Sequence, residues 1–339
     1  MEDQNLNNEL IKSVDQLKEE FSTFKDKISN IQDSVKRENK KLEKPFEMLN
    51  LPSKGFFYKN KNSFILLGYL TYFEENLLTS EMLVENGMAY EIALNNLIYN
   101  EDITIGEMVT GDVQAMSLAL RSFSYGNNIE LELNCEHCGK PSKASIPLTN
   151  FKMKSSKLYP DDNGEILLNI GKDGIAIKIS PITFKQELEF LNKKEKLPLE
   201  NLTIFVKEFN GERDPNKISR LVRSLRLLES RELRTAISEN TPGVDTKYEH
   251  ECEYCDQYTK YDFGGNTLDL LKLPSSYRNN LLEEIFLLTY YGKSITIGDA
   301  KQMSTLERKW MINRISEELE KQREAEKREM AKAKSKSKR

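Results

Sequence analysis

The sequence predicts an α+β fold: an N-terminal coiled-coil helix, two related α/β halves that share one four-cysteine site, and a helical C-terminal region. Three observations predict it. Residues 10–35 carry an unbroken heptad seam, the apolar period switches between helical and two-residue spacing twice along the body, and each cycle ends in a CxxC pair.

Composition sets the limits. A chain of 339 residues with 38% apolar side chains has enough to bury a core, and 31% charged residues give it a polar surface. The formal net charge of −4 is the wrong sign for a protein that coats nucleic acid. There is no apolar run of membrane-spanning length, and Met1-Glu2-Asp3-Gln4-Asn5 is polar and acidic, unlike a secretory leader. The expected compartment is therefore a reducing cytoplasm, where paired cysteines more often bind metal or do redox work than form structural disulfides.

The elements follow in order. Leu10, Val14, Leu17, Phe21, Phe24, Ile28, Ile31 and Val35 recur at alternating steps of four and three, which keeps one apolar seam on one helix face. That period predicts a coiled coil over residues 1–44, pairing either with a second copy through residues 10–35 or with a partner helix. Packing on the chain's own body is the plainer alternative. Lys44-Pro45 ends the helix, because proline pushes the preceding residue out of the helical region.

The first half is expected over residues 45–160. It opens with a strand pair around Phe64 to Tyr72 and continues as helices through Leu77, Leu78, Met82 and Leu83. Asp112 is placed to cap a helix through Val113 to Leu120. Ile129, Leu131 and Leu133 then alternate with Glu130 and Glu132, a strand leading to the first CxxC.

The second half, 161–275, repeats the plan. Gly171-Lys172-Asp173-Gly174 predicts a hairpin turn between Ile166–Ile170 and Ile175–Ile179. Helices are expected over Leu199 to Phe209 and Ile218 to Ile237, then a strand from Val244 to His250 enters the second CxxC. Thr71 precedes Cys135 by 64 residues and Thr183 precedes Cys252 by 69, a spacing that suggests internal duplication. A helical region over 276–324 carries Leu281, Leu282, Ile285, Phe286, Trp310, Met311 and Ile312, more apolar side chains than two short helices can cover between themselves. They either dock on the body or present a patch to another protein. Residues 325–339 read as a disordered basic tail.

The chemistry lies in Cys135-Glu136-His137-Cys138 and Cys252-Glu253-Tyr254-Cys255. A CxxC in a tight turn aims two sulfurs at one point, and two such turns make the closed four-thiolate shell of structural zinc, one ion per chain. The 113 residues between Cys138 and Cys252 exceed ordinary finger spacing, but duplication accounts for them if each half supplies one knuckle. A thioredoxin-type redox pair and free thiols are the alternatives; redox pairs open a helix within a βαβ unit, whereas these sit between strands. The only histidines, His137 within the first knuckle and His250 just before the second, are expected outside the shell. Phosphate-binding and nucleophile-elbow motifs are absent from the sequence, so no enzyme is expected. Arg220, Arg223 and Arg226 form a basic stripe near Glu229 and Glu232, for which pairing along the helix is the plain account.

A family resemblance can be stated on these residues. Leu51-Pro52-Ser53-Lys54-Gly55-Phe56-Phe57-Tyr58, Leu78-Thr79-Ser80 and Leu120-Arg121-Ser122-Phe123-Ser124-Tyr125-Gly126 precede the first knuckle in the order found in base-plate proteins of T-even-type phages. Leu228-Glu229-Ser230-Arg231-Glu232-Leu233-Arg234 and Pro242-Gly243-Val244-Asp245 precede the second. Tyr277 to Phe286 and Glu307-Arg308-Lys309-Trp310 also resemble tail-assembly proteins of such phages. The chain departs from the family in its heptad N-terminus and in Asp256, where glycine is usual. The resemblance implies a role in building the baseplate hub, as a minor component or an assembly chaperone. Other tail and baseplate proteins are the implied partners, the tape-measure protein among them, either in the host cytoplasm during assembly or in the virion. A zinc-ribbon protein that binds nucleic acid is the rival reading. Glu132, Glu136, Glu251 and Glu253 count against it, since phosphate contact needs positive charge there.

Overall fold

A computed structural model describes residues 45–336, apart from Asn86, Glu101, 193–201, 264–270 and Lys272. The predicted coiled coil over 1–44 lies outside the described residues. Helices and small antiparallel sheets alternate through the body, as expected of an α+β chain.

The first half opens on β1 (Phe46–Asn50), which pairs with β2 (Phe64–Gly68). The expected strand pair within 64 to 72 is corrected: β2 finds its partner upstream, and Thr71 instead starts a helix. Its side chain accepts the Phe73 N–H while Glu74 accepts the Thr71 N–H, a capping box that launches α1 (Tyr72–Leu78). Then come α2 (Glu81–Glu85), α3 (Met88–Leu97) and α4 (Thr110–Tyr125). Ile65, Leu67, Leu70, Leu94, Met116 and Leu120 are fully or almost fully buried in the core these elements enclose.

Asp112 is not the cap of α4. The helix begins at Thr110, and Asp112 lies fully buried in its first turn. Its carboxylate accepts the Ser53 N–H at 2.8 Å and the Tyr58 hydroxyl, whose oxygen in turn accepts the Val109 N–H at 3.0 Å. The Leu51 to Tyr58 segment is thus a loop clasped to the start of α4 by one buried carboxylate. Burial raises the pKa of Asp112 above the ordinary carboxylate value. Tyr58→Phe should leave the Val109 N–H and one carboxylate oxygen without this partner, at a cost of about 1–3 kcal/mol read by urea denaturation. A loss indistinguishable from zero would show that water replaces the hydroxyl.

Beyond residue 160 the order is a hairpin, a capped helix, a third strand, two further helices and the second cysteine hairpin. β6 (Ile166–Ile170) and β7 (Ile175–Ile179) pair through the predicted Gly171 to Gly174 turn. Thr183 and Gln186 exchange hydrogen bonds at the start of α5 (Phe184–Asn192), as Thr71 and Glu74 do at α1. The helix expected from Leu199 to Phe209 is corrected to a short 3-10 turn at Leu202–Ile204 and a strand, β8 (Val206–Phe209), on the edge of β7. Phe205, Val206 and Phe209 suit either period, and pairing with β7 decides. One face of this sheet, with Ile166, Ile170 and Ile177, packs under α6 (Pro215–Arg223) and α7 (Leu227–Asn240), which contribute Ile218, Val222, Leu233 and Ile237.

The two halves touch closely. β5 (Lys152–Lys154) of the first pairs with β9 (Gly243–Asp245) of the second. At Gly111 a Cβ would stand 1.9 Å from the Pro242 carbonyl oxygen, so only glycine lets α4 approach that backbone.

The C-terminal region is α8 (Tyr277–Tyr291), α9 (Ile297–Gln302) and α10 (Thr305–Lys336). α10 extends to Lys336, into the stretch 325–339 expected as a basic tail. Leu281, Ile285, Leu288 and Ala300 are buried, whereas Leu282, Phe286 and Trp310 are more than half exposed. Docking centres on Arg308, whose side chain is 0% exposed. It pairs with the equally buried Glu75 of α1, meets Glu284 of α8 at 2.9 Å, and donates to the Met303 carbonyl at 2.9 Å. Tyr125 and Tyr277 both donate to Glu75. Among the described residues, no helix is long and apolar enough to cross a membrane.

Candidate metal centre

The site is built from two hairpins, one from each half. β3 (Asn128–Asn134) pairs with β4 (Pro141–Pro147), and β10 (Lys247–Glu251) pairs with β11 (Tyr258–Asp262). Each turn closes in the same way. The Cys135 N–H donates to the Lys140 carbonyl and the Gly139 N–H to the Cys135 carbonyl; the Cys252 N–H donates to Gln257 and the Asp256 N–H to Cys252. Gly139 and Asp256 take the left-handed conformation, with φ of 69° and 55°. Aspartate tolerates that region at moderate cost, so the departure at Asp256 leaves the turn shape intact.

The turns point Cys135, Cys138, Cys252 and Cys255 at one place. Their sulfurs all lie within 4.8 Å of one another, and Cys135–Cys255 and Cys138–Cys252 are each 3.7 Å apart. A tetrahedron of thiolates about 2.3 Å from a zinc ion has an edge of about 3.8 Å, so the donor set fits such an ion with little movement. The contacts cross between hairpins, so a metal there would join the two halves.

The surroundings favour negative sulfur at one position. The backbone N–H groups of Cys138 and His137 draw the Cys135 thiol down to about 6, helped by Thr259 and Cys255. The Gln257 N–H also pulls on Cys255, but burial and hydrogen bonds with the other three sulfurs push it up to about 12. Four crowded thiols cannot all ionise without a cation to neutralise them, which is the condition a divalent metal satisfies.

Neither histidine reaches the cluster. His137 Nε2 lies 3.3 Å from the Tyr258 carbonyl oxygen, and His250 Nε2 lies 2.9 Å from Ser142 Oγ. Ser142 and Thr259, each four residues past the second cysteine of its knuckle, are buried against the opposite hairpin. Ser142 accepts the Glu253 N–H, and Thr259 Oγ1 lies 3.8 Å from the Cys135 sulfur. Sequence reasoning passed over both, although equal spacing within two related knuckles was the available signal. The acidic residues Glu132, Glu136, Glu251 and Glu253 are exposed around the site.

Fold and site together define an α+β chain in which two hairpins bring four cysteines to one place. The family model of the T4 bacteriophage base plate protein matches residues 71–267, from the Thr71 cap to just beyond the second knuckle. That is more than half of the chain, and the chain belongs to this family. It is a phage baseplate protein, and its partners are other tail and baseplate proteins. No curated protein and no solved structure matches it. The strings at 51–58 and 277–310 lie outside the matched stretch.

Proposed function

We propose that the protein is a non-enzymatic baseplate hub subunit or hub assembly factor, held in shape by one structural zinc ion on Cys135, Cys138, Cys252 and Cys255. Membership of the base plate family carries the reading. The sulfur geometry supports the zinc, and a closed four-thiolate shell leaves no open position for a catalytic water. The deeply buried acids Asp112 and Glu75 are occupied by Ser53 and Tyr58 and by Arg308, as structural groups are. The protein acts by binding, in the host cytoplasm during tail assembly, with the tape-measure protein among its partners. The exposed carboxylates around the knuckles set it against nucleic acid.

The binding face we assign is the part of the C-terminal region that docking leaves open: Leu282, Phe286, Tyr290 and Trp310. Aromatic side chains of this size are the usual anchors of interfaces. A phage lacking the gene should form incomplete baseplates, and the wild-type gene in trans should restore them. The full chain carrying Phe286→Asp with Trp310→Asp should fail to restore them, yet melt and bind metal as the wild type does, because both side chains already face water. Normal particles without the gene would remove the hub reading; full rescue by the double variant would remove the assigned face.

A further inference from the structure

We infer that the corner between α6 and α7 docks on the cysteine hairpins of a second copy of this chain. Arg220 and Arg223 are neighbours one turn apart on α6, and Arg226 caps α7, which begins Leu227-Leu228. Arg231 follows Leu227 by four residues and so shares its side of the helix. Leu227 is 86% exposed and Leu228 78%. Residues 220–231 hold four arginines and a single glutamate.

Pairing along the helix accounts for little of this stripe. Glu229 is buried; its Oε2 accepts the Arg226 N–H at 2.8 Å, and its Oε1 stands 3.8 Å from Arg226 Nε. Glu232 turns to the β6–β7 hairpin, where it accepts the Gly171 N–H at 2.9 Å. Arg226 also meets Asp173 at 3.7 Å, an exposed contact that contributes little. Arg220, Arg223 and Arg231 are exposed and make no ion pair among the described residues. Two open leucines beside unpaired cations suit an apolar surface that carries carboxylates.

The chain carries that complementary surface itself. The two cysteine hairpins, 128–147 and 247–262, hold eight carboxylates against four lysines. In their turns Glu136, Glu253 and Asp256 are exposed and make no ion pair among the described residues. Tyr254, between Glu253 and Asp256 in the chain, is 56% exposed, with Lys140 Nζ 5.0 Å from the centre of its ring. Carboxylates beside an open ring match arginines beside open leucines in sign and in apolarity. No ion pair among the described residues joins the corner to the hairpins of its own chain, which leaves the match to another copy. Such a contact is heterologous: each copy offers its corner to one neighbour and its hairpins to the next, so the contact repeats head to tail. It uses neither the aromatic face of α8 and α10 nor the baseplate reading.

Charge exchange in the purified full chain tests it by sedimentation velocity. The wild type should associate beyond the monomer at low salt, and less as salt rises. Arg220→Glu with Arg223→Glu should weaken association at least about tenfold, and so should Glu136→Arg with Glu253→Arg. Each double variant should melt as the wild type does. Mixed one to one, the two should associate again, because each meets the charge opposite to its own. A monomeric wild type, association that ignores salt or either variant, or a mixture that fails to recover overturns the proposal. Duplex DNA retarded by the wild type but not by the arginine variant would assign the corner to nucleic acid and overturns it too. Independently of charge reversal, a photoreactive benzoylphenylalanine at Leu228 should link to peptides within 128–147 or 247–262 in a product of doubled mass. Links confined to other residues, or no doubled product, count against the second copy in the same way.

Discussion

Cys135→Ser should take the bound metal from one ion per chain to none and should unfold the two hairpins unequally. The wild-type ratio and its loss are read by elemental analysis, and the unfolding by hydrogen exchange resolved along the chain. Two-stranded hairpins are marginal on their own in water. The binding free energy of a structural zinc site, about 10–16 kcal/mol in small zinc peptides, is free energy of folding. The inequality comes from packing. Leu133, Ala144 and Ile146 of the first hairpin are buried with Leu118, Leu148 and Phe151, a contact that survives without metal. In the second hairpin only Cys252 and Thr259 are buried, with Tyr248 and Tyr261 partly covered. Protection should therefore vanish over β10–β11 and fall only partly over β3–β4. Two metals per chain, or none in a wild type with both hairpins intact, would refute the zinc reading.

The knuckles were legible because their chemistry is local. Two cysteines three apart, a residue able to take positive φ just after the second, and a strand on each side suffice to aim two sulfurs. The Gly171 to Gly174 turn was legible for the same reason. Asp112 shows the opposite case. Its position before an apolar helical run reads as a cap, yet Ser53 and Tyr58, more than fifty residues away, turn it into a buried acceptor. The strand at Val206–Phe209 exists because β7 offers an edge, and its own apolar spacing fits a helix equally well. The C-terminal region was legible as helix but not in its mode of docking. Trp310, the most apolar-looking anchor there, is 64% exposed, while its neighbour Arg308 is fully buried. Nothing near Arg308 in the sequence announces a partner 233 residues upstream.

Arg308→Met should cost about 3–5 kcal/mol, the range for removing one partner of a buried ion pair. Glu75 would keep the Tyr125 and Tyr277 hydroxyls but lose its countercharge, and Glu284 would lose its contact. The sign of the pH dependence follows from Glu75. Burial, the largest influence, raises its pKa above the usual 4.5, while Arg308 and the Tyr125 hydroxyl pull it back. Without Arg308 the folded-state pKa rises further, so the folded chain binds a proton that the unfolded chain has already released. Stability then falls as pH rises from the unfolded value through the folded one. Measured against wild type by urea denaturation, the deficit should be smallest below about pH 4.5 and should grow towards neutral pH. Arg314→Met is the control. That side chain is 49% exposed and pairs with Glu317 and Glu318 on its own helix, so its loss should cost no more than about 0.5 kcal/mol. Equal costs for the two variants, or a deficit at Arg308 that shrinks as pH rises, would show that Arg308 does not pin the C-terminal helices to the body through Glu75.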